Sequence, residues 1–264
     1  KMAIQIKSVE EIQLMRRAGI VVGETLALLR ESVKIGMRTI ELDAIAEENI
    51  RKAGAIPSFK GYFGYPATIC ISINDEVVHG IPGERVIKDG DVVSIDCGAI
   101  LNGWHGDAAF TIGMGNIDPA DAAMIEDCRN SLWDGIRAAK LGGHLTDISH
   151  AIESSIHQSE KMRKVKYGIL QEYTGHGIGT EMHQDPHLPN YGKPGRGPKL
   201  ELGIALAVEP MITRGTNKMK VLEDEWTVVS QDGSRGAHWE ETFAFRPDGS
   251  AWVLTSLDGG ASEF

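Results

Sequence analysis

Cysteine is scarce in this chain. Its three thiols, Cys70, Cys97 and Cys128, are odd in number, and none belongs to a Cys-x-x-Cys pair. That argues against a disulfide framework and a thiolate zinc site, and for a reducing compartment, the cytoplasm by default. Long apolar runs are missing too. The best, over 20–29, is broken by Gly23, Glu24 and Thr25, well short of the ~18 apolar residues of a membrane span. The opening residues Lys1-Met2-Ala3-Ile4-Gln5-Ile6-Lys7 show no export signal. Basic charge is in deficit, with 27 Lys and Arg against 37 Asp and Glu and a formal charge of −10. A binder of phosphate backbones needs the opposite sign, so neither DNA nor an anionic membrane is an expected partner. The one basic cluster, Lys161, Arg163, Lys164 and Lys166, reads as a solvated loop. There is no Gly-x-Ser-x-Gly elbow, and Cys70 has no basic neighbour, so it reads as a buried structural thiol. The stretch GHGIG lacks the Lys-Ser/Thr of a phosphate loop.

What remains is a chain of 264 residues, 42% apolar and 24% charged, ordinary for a soluble protein of one large domain or two tightly fused halves. Ser8 and Glu11 form a capping box ahead of Ile12, Met15, Gly19, Val22, Leu26 and Leu29 at helical spacing, which predicts a helix over 9–30. Thr39 is placed to cap a second helix, ending near Gly54. Asp118-Pro119 opens a third, to about Lys140, and Thr146 a fourth, to about Ser159. Similar linkers join each pair, Lys34-Ile35-Gly36 and Lys140-Leu141-Gly142. Each pair is followed by a glycine-rich stretch with a histidine and then by β-rich sequence. This weak repeat predicts two like halves with an active site between them. The stretches 91–100 and 104–112 around Asn102-Gly103 predict a β-hairpin. Further strands are expected over 204–212, 226–229, 238–245 and 251–254, with 190–198 as a surface loop.

Strand interiors disfavour aspartate, yet Asp96 stands in VVSIDCGAI. With the turn at Asn102-Gly103, Asp96 faces Ala109 and Asp107 faces Gly98. The two acids are then diagonal neighbours on one sheet face, ~7–8 Å apart by Cα. Buried together they repel and are costly to desolvate; a divalent cation between them removes both problems. Two acids on a wet face are the alternative, against which Val93, Ile95, Phe110 and Ile112 weigh. Glu209 in IALAVEPMI and Glu240 in HWEETFAF repeat the anomaly in the second half. Such a set offers too many oxygens for one tetrahedral zinc. It suits two hard or borderline ions about 3.5–4 Å apart, a recurrent hydrolytic arrangement.

Three of the nine histidines sit in suggestive contexts: Val78-His79-Gly80, Gly175-His176-Gly177 and Met182-His183. The glycines around His176 are expected to let the backbone approach a ligand closely. For His79 a core role is the alternative. His105, His144, His150, His157, His187 and His238 read as structural.

In GYFGYPATICISIN, VVHGIP, SIDCGAILNGWHGDAA, GHGIGTEMHQDP, AVEPM, DEWTVV and HWEET the chain resembles the type I methionine aminopeptidases, over nearly its whole length. The resemblance implies an α+β pita-bread (creatinase/aminopeptidase) fold. That is a single catalytic domain of two pseudo-symmetric αβ halves, about 1–115 and 116–264, around a central curved antiparallel sheet. It implies that Asp96, Asp107, His176, Glu209 and Glu240 hold two divalent ions, with Asp107 and Glu240 bridging; cobalt, manganese, iron and zinc are all compatible. By the same resemblance His79 and His183 contact substrate and Glu209 is the general base. Phe59, Tyr62, Tyr65, Cys70, Met182 and Trp226 line the methionine pocket, which also carries Phe63. The implied activity is removal of the initiator methionine from nascent proteins, favouring a small second residue. A monomer in the cytoplasm is the default expectation, with transient ribosome association as a further partner to expect. The interval from His176 to Glu209 leaves no room for the extra subdomain of the type II enzymes. Nor does a Cys/His-rich extension precede the first helix, so the compact bacterial form is expected. One departure stands out: the family usually reads Glu-His-Thr where this chain has Glu240-Glu241-Thr242. Thr242 keeps the register, so Glu240 remains the expected ligand and Glu241 should face the other side of the strand.

Overall fold

The computed structural model describes residues 3–264. Helix α1, Val9–Ser32, opens on the expected capping box. The Ser8 hydroxyl accepts from the Glu11 N–H, and the Glu11 carboxylate accepts from the Ser8 N–H. Its apolar stripe of Ile12, Met15, Val22 and Leu29 is buried. At Gly19 the helix lies almost on the backbone beneath it, for a Cβ there would sit 2.0 Å from the Leu254 carbonyl oxygen. Helix α2 spans Thr39–Lys52. Its cap is not Thr39, which is the first helical residue. The Glu41 carboxylate takes the Arg38 N–H at 2.7 Å, and the Thr39 hydroxyl ties the helix to the backbone of Gly83 instead.

Helix α3, Pro119–Ala138, starts as expected, with the Asp118 carboxylate accepting from Ala120 N–H. Helix α4 spans Leu145–Arg163 and is longer than its sequence signals suggested at both ends. Asp147, reaching back to the His144 N–H, moves its start ahead of Thr146. At the far end it absorbs Lys161 and Arg163, so the basic cluster is partly a helix terminus rather than a loop. Arg163 pairs with Asp127 of α3 at 2.8 Å.

The strands Val92–Leu101 and Trp104–Gly113 form the expected hairpin in the expected register, with Asp96 opposite Ala109 and Gly98 opposite Asp107. Along its outer edge the first hairpin strand pairs with Ile69–Ile73 and Ile56–Pro57. A second antiparallel sheet runs, in spatial order, Ala251–Val253, Glu241–Phe245, Ala205–Val208, Gly175–Gly177 and Gln184–Leu188. Two expected strands are each broken in two. The stretch 204–212 divides into Ala205–Val208 and Met211–Thr213, which join different sheets. Pro210 has no N–H to continue a ladder. The stretch 238–245 divides into Gly236–His238 and Glu241–Phe245 around Trp239-Glu240. The strand expected over 226–229 lies at Val228–Ser230.

One continuous core, including Val22, Ile71, Ile95, Leu132, Ile152 and Phe243, packs both helix pairs against these sheets. The two largest sheets meet where Ala109 and Glu240 exchange both main-chain hydrogen bonds at 3.0 Å. Beside that bridge the Thr242 hydroxyl donates to the Asp107 carbonyl at 2.7 Å. The Thr111 hydroxyl donates to the His238 carbonyl at 2.7 Å and accepts from its N–H at 2.9 Å. These contacts hold the Asp107 strand against residues 238–242. Among the described residues, no helix is long and apolar enough to cross a membrane.

Candidate metal centre

The acids singled out in the sequence converge on His176. Its Nε2 lies 2.9 Å from Glu209 Oε2, 3.6 Å from Asp107 Oδ2 and 3.6 Å from Glu240 Oε2. Its Nδ1 lies 2.9 Å from the Gly177 carbonyl oxygen. A carbonyl only accepts, so the proton sits on Nδ1 in the neutral ring. Nε2 then turns a lone pair toward three carboxylates. A cation at that point converts the repulsion into ligation, and a backbone partner on the other nitrogen is the usual arrangement of a metal-bound histidine. Asp96 closes the other side of the cluster, with a donor atom within 4.8 Å of donors on Glu240 and His238.

Buried polar atoms normally find partners. Here Asp96 Oδ1, Asp107 Oδ1, both carboxylate oxygens of Glu240 and His176 Nε2 are buried with no hydrogen bond. Burial, then the neighbouring carboxylates, push Asp96, Asp107 and Glu240 well above the usual carboxylate range. Glu209 goes the other way: against its burial, His176 in its protonated form, which these same carboxylates favour, and His238 hold it well below. Several carboxylates and one imidazole nitrogen, desolvated and unpartnered, fit divalent cations that accept oxygen and nitrogen donors.

A cavity of about 160 Å³ adjoins this cluster. Its walls include all eight residues expected to meet substrate: Phe59, Tyr62, Tyr65, Cys70, His79, Met182, His183 and Trp226. Asp96, Asp107 and Glu209 form its polar end. Tyr65 is fixed there by donating to the Ile69 and Gly80 carbonyls at 2.8 and 3.1 Å. The Cys70 thiol is pushed up by burial and then by Asp96, as befits an unreactive wall residue. Phe63 departs from expectation: it is 83% exposed and packs its ring on the outer side of Tyr62. Burial lowers His79 and His183 to about 4, so both are neutral at neutral pH. His79 stands edge-on to Tyr173 and borders a wider cleft of about 680 Å³, shared with His183 and Glu209.

The glycines beside His176 do not face a ligand. A Cβ on Gly175 would meet the Ala207 carbonyl oxygen at 2.4 Å, and one on Gly177 the Asp185 carbonyl oxygen at 2.1 Å. They admit the flanking strands instead. Glu241 faces away from the cluster, as alternation required, and accepts a hydrogen bond from the Thr255 hydroxyl. His238, set aside in the sequence, belongs to the site: its Nε2 lies 3.2 Å from Glu209 Oε1. The signal was its place two residues before Glu240, which in extended chain puts both side chains on one face. Of the other histidines, His105 bonds Ser58, His150 the Gly192 carbonyl, and His157 pairs with Glu160. His187 borders the open cleft.

The model of metallopeptidase family M24 matches residues 13–247. The methionine aminopeptidase of Clostridium acetobutylicum is 51% identical over 247 residues, covering 93% of this chain and 96% of that protein. Methionine aminopeptidase 1 of Mycobacterium tuberculosis is 53% identical over 244 residues, 92% of each chain. The crystal structure of methionine aminopeptidase from Thermotoga maritima superposes with a TM-score of 0.91 at 38% identity, over 96% of this chain and 100% of that one.

Proposed function

The chain belongs to metallopeptidase family M24 and, within it, to the type I methionine aminopeptidases, and on that premise we propose the residue roles that follow. The enzyme removes N-terminal methionine by metal-assisted hydrolysis. Asp96, Asp107, His176, Glu209 and Glu240 would hold two divalent ions within a single catalytic domain of two halves, about 1–115 and 116–264. Asp107 and Glu240 stand central in the cluster and have oxygens left without partners, which suits them to be shared between ions. When bound, the ions supply Lewis acidity that polarises the scissile carbonyl and acidifies an attacking water.

The chain's own groups do the rest. Glu209, ionised at neutral pH, accepts the proton of the attacking water. His183 receives the Tyr62 hydroxyl on Nδ1, with Oη at 2.9 Å. With the hydroxyl as donor there, the proton stands on Nε2, which donates to the carbonyl oxygen as negative charge develops. Neutral His79 faces the scissile amide nitrogen. Phe59, Tyr65, Cys70, Met182 and Trp226 enclose the methionine side chain and exclude water. Initiator methionine ahead of a small second residue, on nascent chains in the cytoplasm, is the substrate this assigns, met by a monomer in transient association with the ribosome. Three free, buried cysteines are in keeping with a reducing compartment.

The observation that carries the reading is the group of orphaned carboxylate oxygens around His176, opening into an apolar cavity. The test is metal-free protein reloaded anaerobically with Fe(II), Mn(II), Co(II) or Zn(II) and assayed on Met-Gly-x peptides beside X-Pro peptides. Two ions per chain and turnover of the Met-Gly-x series alone are expected. Equal cleavage of X-Pro bonds, or turnover without metal, would overturn it.

A further inference from the structure

We propose that His238 is a positioning residue, whose imidazole sets the orientation of the Glu209 carboxylate for ion binding and proton acceptance. The proposal rests on the reading of Glu209 given above. His238 is 2% exposed, and its Nε2 lies 3.2 Å from Glu209 Oε1. An ionised carboxylate only accepts, so Nε2 is the donor. Among the described residues this is the only aligned hydrogen bond on the Glu209 carboxylate. His176 comes within 2.9 Å of the other oxygen, Oε2, yet Nε2 makes no hydrogen bond. The two oxygens are thereby distinguished. Oε1 is tied to protein and Oε2 is turned to the cluster.

The surroundings of His238 suit that task. Its backbone is clamped by Thr111, which bonds both its N–H and its carbonyl. Its strand pairs with the strand after Glu209, Met211 standing opposite His238. Asn190 Nδ2 donates to the Glu209 carbonyl at 3.0 Å, so the backbone of Glu209 is tied as well as its side chain. Without the imidazole the carboxylate is free to turn about its last torsion, which is broad for Glu. Outer partners of metal-ligating groups are typically worth 10–100-fold in affinity or activity. A competing role is direct ligation, since His238 also has a donor atom within 4.8 Å of donors on Asp96 and Glu240.

The experiment titrates metal-free wild type, His238→Leu, His238→Gln and Glu209→Gln with Mn(II) by calorimetry, and follows each with kinetics on a Met-Gly-x peptide. His238→Leu is expected to bind as many ions as wild type. Its weaker site should bind about 10–100-fold less tightly, with kcat falling more than KM rises. His238→Gln keeps an N–H donor and should recover to within a few fold. An unchanged His238→Leu overturns the proposal, and so does a Gln variant as impaired as Leu, which would make the contact mere packing. Loss of a whole ion in His238→Leu overturns it in favour of ligation. Should that variant not fold, 15N imidazole spectra of the Zn(II)-loaded wild type decide. A proton kept on Nε2 supports positioning, and its loss on loading means ligation. Full metal affinity and turnover in Glu209→Gln would instead sink the underlying role of Glu209.

Discussion

The Tyr62 hydroxyl lies 2.9 Å from His183 Nδ1, across 121 residues of sequence. With that hydroxyl donating to Nδ1, the neutral ring keeps its proton on Nε2. His183→Ala is expected to retain its metal while kcat falls on the order of 10²–10³, the usual effect of removing an oxyanion donor. Tyr62→Phe removes only the tautomer selection and should cost about tenfold, one modest hydrogen bond. Metal content measured beside the rate decides; if it fell together with the rate in His183→Ala, His183 would be a ligand.

Asp107→Asn is expected to abolish both metal binding and turnover. Asp107 is 3% exposed and lies in the middle of the cluster, and an amide cannot supply two anionic oxygens to shared ions. Near-normal metal content by elemental analysis, with normal rate, would refute the dinuclear assignment.

Glu241 bears on stability rather than on ligation. Burial, outweighing its bond from Thr255, raises its carboxyl from 4.5 to about 7. Between these two values the unfolded chain releases a proton that the folded chain keeps. Stability therefore falls as pH rises from 4.5 to 7, and the full cost is present above 7. Glu241→Gln should gain on wild type progressively through that window, by at most about 3 kcal/mol above pH 7, the upper figure set by the shift itself. Urea unfolding at pH 5 and pH 8 reads it, and a difference independent of pH would contradict it. Glu241→His should leave metal affinity within a few fold. If it lost metal while Glu240→Gln kept it, the ligand would be Glu241.

Lys7 gives the opposite window. It is 5% exposed, bonded to Gln184 at 3.3 Å, and burial lowers its ammonium from 10.5 to about 8 despite Glu11. Above 8 the folded chain sheds a proton that the unfolded chain holds until 10.5, so stability rises with pH between them. Lys7→Met should therefore be more stable than wild type below pH 8 by on the order of 2 kcal/mol, the lost hydrogen bond included. The gap should close toward pH 10.5. A constant gap in pH-dependent denaturation would show that Lys7 is not desolvated.

Readable features of the fold were those written in neighbouring residues. The Ser8–Glu11 box, the Asp118-Pro119 start and the Asn102-Gly103 hairpin each depend on bonds spanning a few positions, and each formed. Thr39 shows where such signals compete: Glu41 satisfied the same helix end, and Thr39 was drawn to Gly83, a partner remote in sequence. The strand over 204–212 was misread because apolar character continues through Glu209-Pro210 while the capacity to pair does not.

By itself the sequence determined the starts of the first and third helices, the hairpin register that sets Asp96 beside Asp107, and the kinds of donor available to a cation. Turn chemistry and side-chain alternation act over a few residues and need no distant partner. The tertiary structure alone decided which donors meet. The Ala109–Glu240 bridge brings the acids of two sheets into one cluster. The enclosure of one cavity by residues from Phe59 to Trp226 makes it apolar. The break at Pro210 sends two strands apart and leaves Glu209 between His176 and His238. Those contacts join chain segments far apart in sequence. Their geometry is set by how whole sheets pack, which no local pattern of residues encodes.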